Sequence, residues 1–321
     1  MQGLHRFLKR IKLYRYFIVW TKYVVPPGFA PLPLYTVAIF FIKEIQKESL
    51  VNKASSLSYN FMMAIFPSII FLFTLIPYIP IKNFQNQLMT FIALLLPENA
   101  YLAFETTFED IVKNQNGKLL SIGFALALFF STNGTHTLMQ AFNKSSLITE
   151  TRSFLKQRIV ALNLTLLTAF GLILGVGVMV IGEFIINGVK STLKFNDSNF
   201  WIYLIAVIRW FIIIGVYFVT ISILYRYGPA NPKRWKMFSP GAWFATILAI
   251  LTSIGFSFYI NNFSNYNKLY GSIGTLLVIM IWLYLNSIII LLGFELNASI
   301  DLSKRSIVLE KPVSVNEFKK I

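Results

Sequence analysis

The stretch WIYLIAVIRWFIIIGVYFVTISILY opens at Trp201 and closes at Tyr225, and its one Lys, Arg, Asp or Glu residue is Arg209. A helix of that length covers the roughly 30 Å of a bilayer's hydrocarbon core. A helix this apolar all round offers no face to water. Five further stretches read the same way, so spans are expected at 57–80, 119–141, 159–186, 201–225, 241–260 and 273–298. The second is the weakest, because Thr132-Asn133-Gly134-Thr135-His136 makes its latter half polar. Two apolar runs, 34–42 and 88–96, are too short to cross and read as interfacial or re-entrant helices. The expected fold class is an all-α integral membrane protein with six transmembrane helices.

Composition agrees. Of 321 residues, 56% are hydrophobic and only 13% charged, against about 25% charged in a typical soluble domain. Mean hydropathy is +0.63. A disordered chain is excluded, and a soluble globule is a poor fit. The net charge of +16 would suggest nucleic acid in a soluble chain. In a membrane chain it reflects loops held on the cytoplasmic side, so no nucleic-acid partner is expected. With six spans, both termini and the second and fourth loops share one side. That side carries 22 of the 29 Lys and Arg, the other carries 6, and Arg209 lies within a span. The positive-inside rule therefore puts both termini in the cytoplasm.

Cysteine is absent and the only histidines are His5 and His136, which removes thiolate chemistry and His-rich metal sites. There is no Walker A loop, dinucleotide fingerprint, HExxH or G-x-S-x-G. The acids are too scattered for a two-metal nuclease. No catalytic residue, cofactor or metal is expected, and ATP-driven transport by this chain alone is not expected either.

The chain divides into three parts. Residues 1–33 are a basic amphipathic segment and a hinge. In 4–18, Leu4, Phe7, Leu8, Ile11, Tyr14 and Ile18 recur at helical spacing among Arg6, Lys9, Arg10, Lys12 and Arg15, as in a helix lying on an anionic leaflet. Such charge also serves as a plain topology signal. Pro26, Pro27, Pro31 and Pro33 form the hinge. Residues 34–300 hold the transmembrane domain, and 301–321 read as a mobile cytoplasmic tail. In the loop 81–118, Phe104, Phe108, Ile111 and Val112 suggest a second amphipathic helix capping the bundle.

Inside spans, polar groups are expensive and so informative. Glu183 and Arg209 lie towards the outer side, where they are candidates for an ion pair; Arg209 is also a candidate contact for a phosphate head group. Towards the cytoplasm lie Tyr59 and Asn60, then Asn133, His136 and Gln140 at i, i+3 and i+7 with Asn143 just beyond, then Glu295 and Asn297. If these faces converge they form a polar cleft open to the cytoplasm, with His136 and Glu295 able to carry protons. The alternative is that Glu295 snorkels and the amides hold helices together. Asn133-Gly134 leaves room for a broken helix. Gly171 and Gly175 form a GxxxG pair, extended by Gly177 and Gly182, which suits close helix packing. Pro67 is expected to kink its span.

Ala54-Ser55-Ser56-Leu57-Ser58-Tyr59, followed by Ile65-Phe66-Pro67, resembles the opening motif of the YihY/BrkB family of bacterial inner-membrane proteins. Tyr270-Gly271-Ser272, Trp282-Leu283-Tyr284 and Gly293-Phe294-Glu295-Leu296-Asn297-Ala298 resemble its closing signature, and Asn143 and Arg158 fall where that pattern has such residues. The resemblance covers about 35–300. Asn60 departs from the pattern, where a second Tyr is common, as does Phe294, where Ala is usual. The resemblance implies six spans with cytoplasmic termini in the bacterial inner membrane. Some members carry a ribonuclease label, which these residues do not support. Others are described as virulence-associated or as candidate transporters of envelope lipids.

The expected function is an ATP-independent transporter or binder of an amphiphile, an anionic envelope lipid, with membrane lipids as its partners. Tyr59, Asn60, Asn133, His136, Gln140, Asn143, Glu295 and Asn297 are the candidate cleft residues, and Arg209 the candidate head-group contact. On that reading Glu295→Gln abolishes transport and leaves folding intact. A non-transporting membrane scaffold is the alternative, and there the same change lowers thermal stability.

Overall fold

The computed structural model describes residues 12–29, 31–47, 50–79, 86, 89, 109–111, 113–145, 149–192, 198–230, 237–262 and 272–309, and no strand occurs among them. Their helices are α1 (Lys12–Tyr23), α2 (Leu34–Lys47), α3 (Leu50–Leu75), α4 (Gly117–Ser145), α5 (Phe154–Thr192), α6 (Ser198–Tyr227), α7 (Pro240–Asn262) and α8 (Ser272–Leu309). A 3-10 turn at Ile76–Tyr78 extends α3. Local sequence sets several boundaries. Asn116 caps α4, its Oδ1 accepting from the Leu119 amide at 3.0 Å. Gly228 closes α6, its amide reaching the Leu224 carbonyl at 2.9 Å. Ser239 precedes Pro240 at the start of α7, the cap and first-turn residues that helix starts favour.

Five segments are long and apolar enough to cross a bilayer: Leu50–Tyr78, Phe154–Met179, Tyr203–Tyr227, Pro240–Ile260 and Leu276–Lys304. A shorter apolar helix, Leu34–Lys43, accompanies them. The expected span at 119–141 is a helix of 29 residues, about 44 Å long at 1.5 Å per residue. Its run from Ser131 to His136 leaves it less apolar than the other five.

Several sequence expectations need correction. The helix expected at 57–80 begins at Leu50, and that expected at 159–186 runs from Phe154 to Thr192. The last helix continues to Leu309, so the segment after 300 starts as helix and not as a mobile tail. Polar and charged residues extend these helices past their apolar stretches, where apolar content no longer marks the end. No break occurs at Asn133-Gly134, because α4 runs through it. Gly134 is small for another reason: a Cβ there would lie 2.9 Å from the Phe61 ring of α3. The amphipathic stretch 4–18 is described only from residue 12, and 88–96, Phe104 and Phe108 lie outside the described residues.

The pairs α3–α4, α5–α6 and α7–α8 run antiparallel. Gly134 meets Phe61 and Gly123 meets the Phe71 backbone, which pins α3 on α4. Gly171 meets Thr220 and Gly182 meets Arg209, which pins α5 on α6, while Gly175 and Gly177 have nothing within 4 Å. The contact face therefore repeats at eleven residues, three helical turns, and not at the GxxxG spacing. Gly241 meets the Gly293 backbone, which brings α7 against α8.

The main core sits towards one end of the bundle, where Leu57, Met139, Phe142, Leu224, Tyr225, Leu291 and Phe294 are all buried. This end also carries Lys53, Arg152, Arg158, Arg226 and Lys304, and is called the basic end below. Here α8 packs against α2, α3, α4 and α7 together. The turn before α2 closes on it as well: Phe29, Leu32 and Val37 cluster with Ile300. Gly28 has φ 86°, and a Cβ there would strike Pro240, so the turn needs glycine twice over.

Candidate functional site

The end of the closing motif lies at the basic end of α8, where Gly293, Phe294, Glu295 and Asn297 each meet another helix. Gly293 lets α7 approach, since a Cβ there would meet the Gly241 carbonyl, Ala245 and the Tyr225 hydroxyl. Phe294 stacks on Phe142 of α4, with ring centroids 3.9 Å apart and planes 8° from parallel. Tyr225 of α6 packs edge-on against both rings, and its hydroxyl donates to the Ile290 carbonyl at 2.7 Å. Phe294 is thus a core anchor joining three helices.

Glu295 Oε1 accepts from the Ser145 hydroxyl at the end of α4. Lys53 Nζ of α3 donates to the same hydroxyl oxygen at 3.0 Å and lies 3.7 Å from Glu295 Oε1. The Lys53 and Glu295 side chains are 11% and 5% exposed, so this is a buried ion pair bridging α3 and α8 through the end of α4. Two residues on, Asn297 works as a cap supplied from outside the capped helix. Its Oδ1 accepts from the Gly241 amide at 2.8 Å and its Nδ2 donates to Ser239 Oγ at 2.9 Å. The first turn of α7 has amides with no intrahelical acceptor, and Asn297 satisfies one of them.

Asn143, also buried, ties two loops together. Its Nδ2 donates to Glu150 Oε2 at 2.7 Å and its Oδ1 accepts from the Ala230 amide at 2.7 Å. Arg152 grips the Glu150 carboxylate with Nε and Nη2, both at 2.8 Å, and Nη2 also reaches the Gly228 carbonyl at 3.1 Å. Those Arg152 hydrogen bonds are the main reason the Glu150 carboxyl sits below its usual value of 4.5, and Asn143 adds to the effect.

Asn133 and His136 face elsewhere, towards the start of α5. Asn133 Oδ1 accepts from Arg158 Nη1. His136 Nε2 lies 3.1 Å from Gln157 Oε1; an amide oxygen only accepts, so Nε2 carries the proton. Gln157 Nε2 in turn donates to the Arg152 carbonyl at 2.9 Å. Deeper in, Thr135 and Thr165 share a buried hydrogen bond of 2.8 Å across α4 and α5.

Outside this contact, α4 and α5 leave a groove of about 620 Å³, open to the side of the bundle. Its walls are apolar, with Phe124, Leu128 and Phe129 from α4 and Phe154, Ile159 and Leu162 from α5. Polar groups enter only at its basic end, through Thr132 and Arg158. Thr132 Oγ1 is buried with no hydrogen-bond partner among the described residues. The Arg158 guanidinium lies 5.3 Å from the Phe154 ring centroid.

The candidate cleft residues therefore divide among separate contacts. Glu295 and Asn297 serve α8, Asn143 the loops, and Asn133 and His136 the α4–α5 seam. Gln140 and Tyr59 are exposed, and Asn60 Nδ2 turns back to the Ser56 carbonyl of its own helix. Arg209 packs its aliphatic stem over Gly182; the Glu183 side chain lies outside the described residues, so the suggested pair does too. Sequence reasoning passed over Lys53, Ser145, Glu150, Arg152, Ser239 and Gly241. The Ser239-Pro240 helix start was the one legible signal among them.

The family described as Virulence factor BrkB matches residues 41–313. The ribonuclease-like protein YfkH of Bacillus subtilis is 34% identical over 254 residues, covering 79% of this chain and 91% of the relative. A UPF0761 membrane protein of Tolumonas auensis is 24% identical over 271 residues, covering 81% and 84%. Another, from Pseudoalteromonas translucida, is 39% identical over 87 residues, covering 27% and 29%. No solved structure matches the chain.

Proposed function

The chain belongs to the BrkB family of bacterial membrane proteins, and from that premise we propose that it binds an anionic amphiphile of the envelope and moves it without an ATPase of its own. On this reading α4 is the sixth crossing, long enough at 29 residues and packed between α3 and α5. Both termini are cytoplasmic, as the Lys and Arg asymmetry favours. The observation that carries the proposal is the α4–α5 groove, apolar along its walls, open sideways and polar at one end. A soluble ligand has no route to such a place, whereas a lipid enters it from the bilayer.

The relative from Bacillus subtilis bears a ribonuclease-like name. That chemistry stays outside the proposal, since among the described residues no three His, Cys, Asp or Glu side chains gather. A second reading, a scaffold that translocates nothing, draws support from the α8 contacts, where the buried polar residues join helices. Native mass spectrometry of the protein released from mild detergent separates the two. Lipid handling predicts a defined lipid retained on the wild type and lost from Ala125→Trp, a bulky side chain placed in the groove wall. A protein that retains no lipid supports the scaffold reading.

A further inference from the structure

The groove has a direction. Phe124 lies at its inner part and Thr132 at its basic end, eight residues or about 12 Å along α4. One leaflet of hydrocarbon is about 15 Å deep, half of the roughly 30 Å core. The α4 wall of the groove is therefore about as long as one acyl chain in a leaflet. Its volume, about 620 Å³, lies within the roughly 300–1,000 Å³ usual for small-ligand sites. A transmembrane helix is about 10–12 Å across and would enter only with protruding side chains.

Charge sets the chemistry of the basic end. Arg158 is fixed there from two sides, by Asn133 Oδ1 on Nη1 and by the Phe154 ring. A guanidinium has five N–H donors, so the one hydrogen bond it donates to Asn133 leaves others to offer. A guanidinium at one end of an apolar groove matches a phosphate whose substituent is a hydrocarbon chain.

We propose that the α4–α5 groove seats one anionic phospholipid, its phosphate on Arg158 and one acyl chain along Phe124, Leu128 and Leu162. The proposal rests on the lipid-binding reading and adds the head-group class and the residue that selects. It also moves the head-group contact from Arg209, which lies towards the other end of the bundle, to Arg158.

The test uses the full chain in mild detergent with equimolar phosphatidylglycerol and phosphatidylcholine, read by native mass spectrometry. The wild type should retain phosphatidylglycerol in preference. Arg158→Gln should reduce that preference about tenfold, the size of one lost charge-assisted contact, while Arg158→Lys keeps most of it. Because the chain has no cysteine, Ala125→Cys can be labelled with a bulky maleimide after folding. Labelling should expel both lipids even if Arg158→Gln proves unstable. Unchanged preference in a folded Arg158→Gln, or unchanged retention after labelling, overturns the seat while leaving lipid binding intact. Dimers in place of lipid adducts would give the groove to a second copy and also overturn it. A wild type that retains neither lipid overturns the broader reading and this one with it.

Discussion

Glu295 illustrates how much a single buried charge depends on its partners. Its carboxylate shares Ser145 with Lys53, and both charged side chains are nearly sealed. Removing one member of a buried pair strands the other, which costs about 3–5 kcal/mol. Glu295→Gln should therefore lower the melting temperature in detergent, whatever it does to transport. Lys53→Met combined with Glu295→Leu should recover much of the loss, because no charge is then stranded. Additive losses in the double variant would refute the pairing. Glu150 makes a different prediction, one read in pH. Its folded carboxyl titrates below 4.5, chiefly through Arg152, so folding favours the ionised form. That stabilisation is complete above the unfolded value near 4.5 and is lost as pH falls through the folded value. The wild type should exceed Glu150→Gln in melting temperature by a constant margin above about pH 5.5, and the margin should shrink below about pH 4.5. A margin independent of pH would count against the Arg152–Glu150 clamp. At this scale the sequence showed the expensive groups, Glu295, Asn297 and Asn143, because polar residues stand out in apolar spans. It hid their partners: Lys53 and Ser145 are ordinary polar residues at helix ends, 92 and 150 positions from what they touch in the case of Ser145.

Helices were legible wherever apolar content marked them. Each expected span corresponds to a helix, yet the boundaries of α5 and α8 run well past it because charged residues continue a helix that no longer needs lipid. The small-residue pattern was less legible. A GxxxG pair shows that close approach is allowed, while only the neighbouring helix decides which glycines use it. Gly171 faces Thr220 of α6, whereas Gly175 faces open space. Gly171→Ala should then destabilise by about 1–3 kcal/mol through overpacking, and Gly175→Ala should stay within about 0.5 kcal/mol of the wild type. Thermal unfolding in detergent checks both, and equal effects would contradict the eleven-residue contact face. The departure at Phe294 finds its explanation at the same scale. The larger ring stacks on Phe142 inside a three-helix contact, and fills core space where the sequence had left a cleft open.

Across the whole molecule, the buried core and the polar contacts gather at the basic end, while exposed apolar side chains such as Phe170, Leu172, Phe211, Ile254 and Phe258 cover the spans. Those surfaces suit hydrocarbon, and a patch that large on a soluble protein would be a liability. The α4–α5 groove interrupts this coat with a recess that is polar at one end. It went unread in the sequence because its walls come from two helices, with Arg158 and Thr132 adjacent only after folding. A protein that moves lipid should act on bilayers directly, so the decisive measurement is lipid flipping in vesicles of phosphatidylglycerol and phosphatidylcholine, with a fluorescent phosphatidylglycerol bleached from outside. The account predicts faster loss of the protected inner-leaflet signal with the wild type than with empty vesicles or with Ala125→Trp. Equal rates in all three, with the wild type folded and inserted, would contradict it.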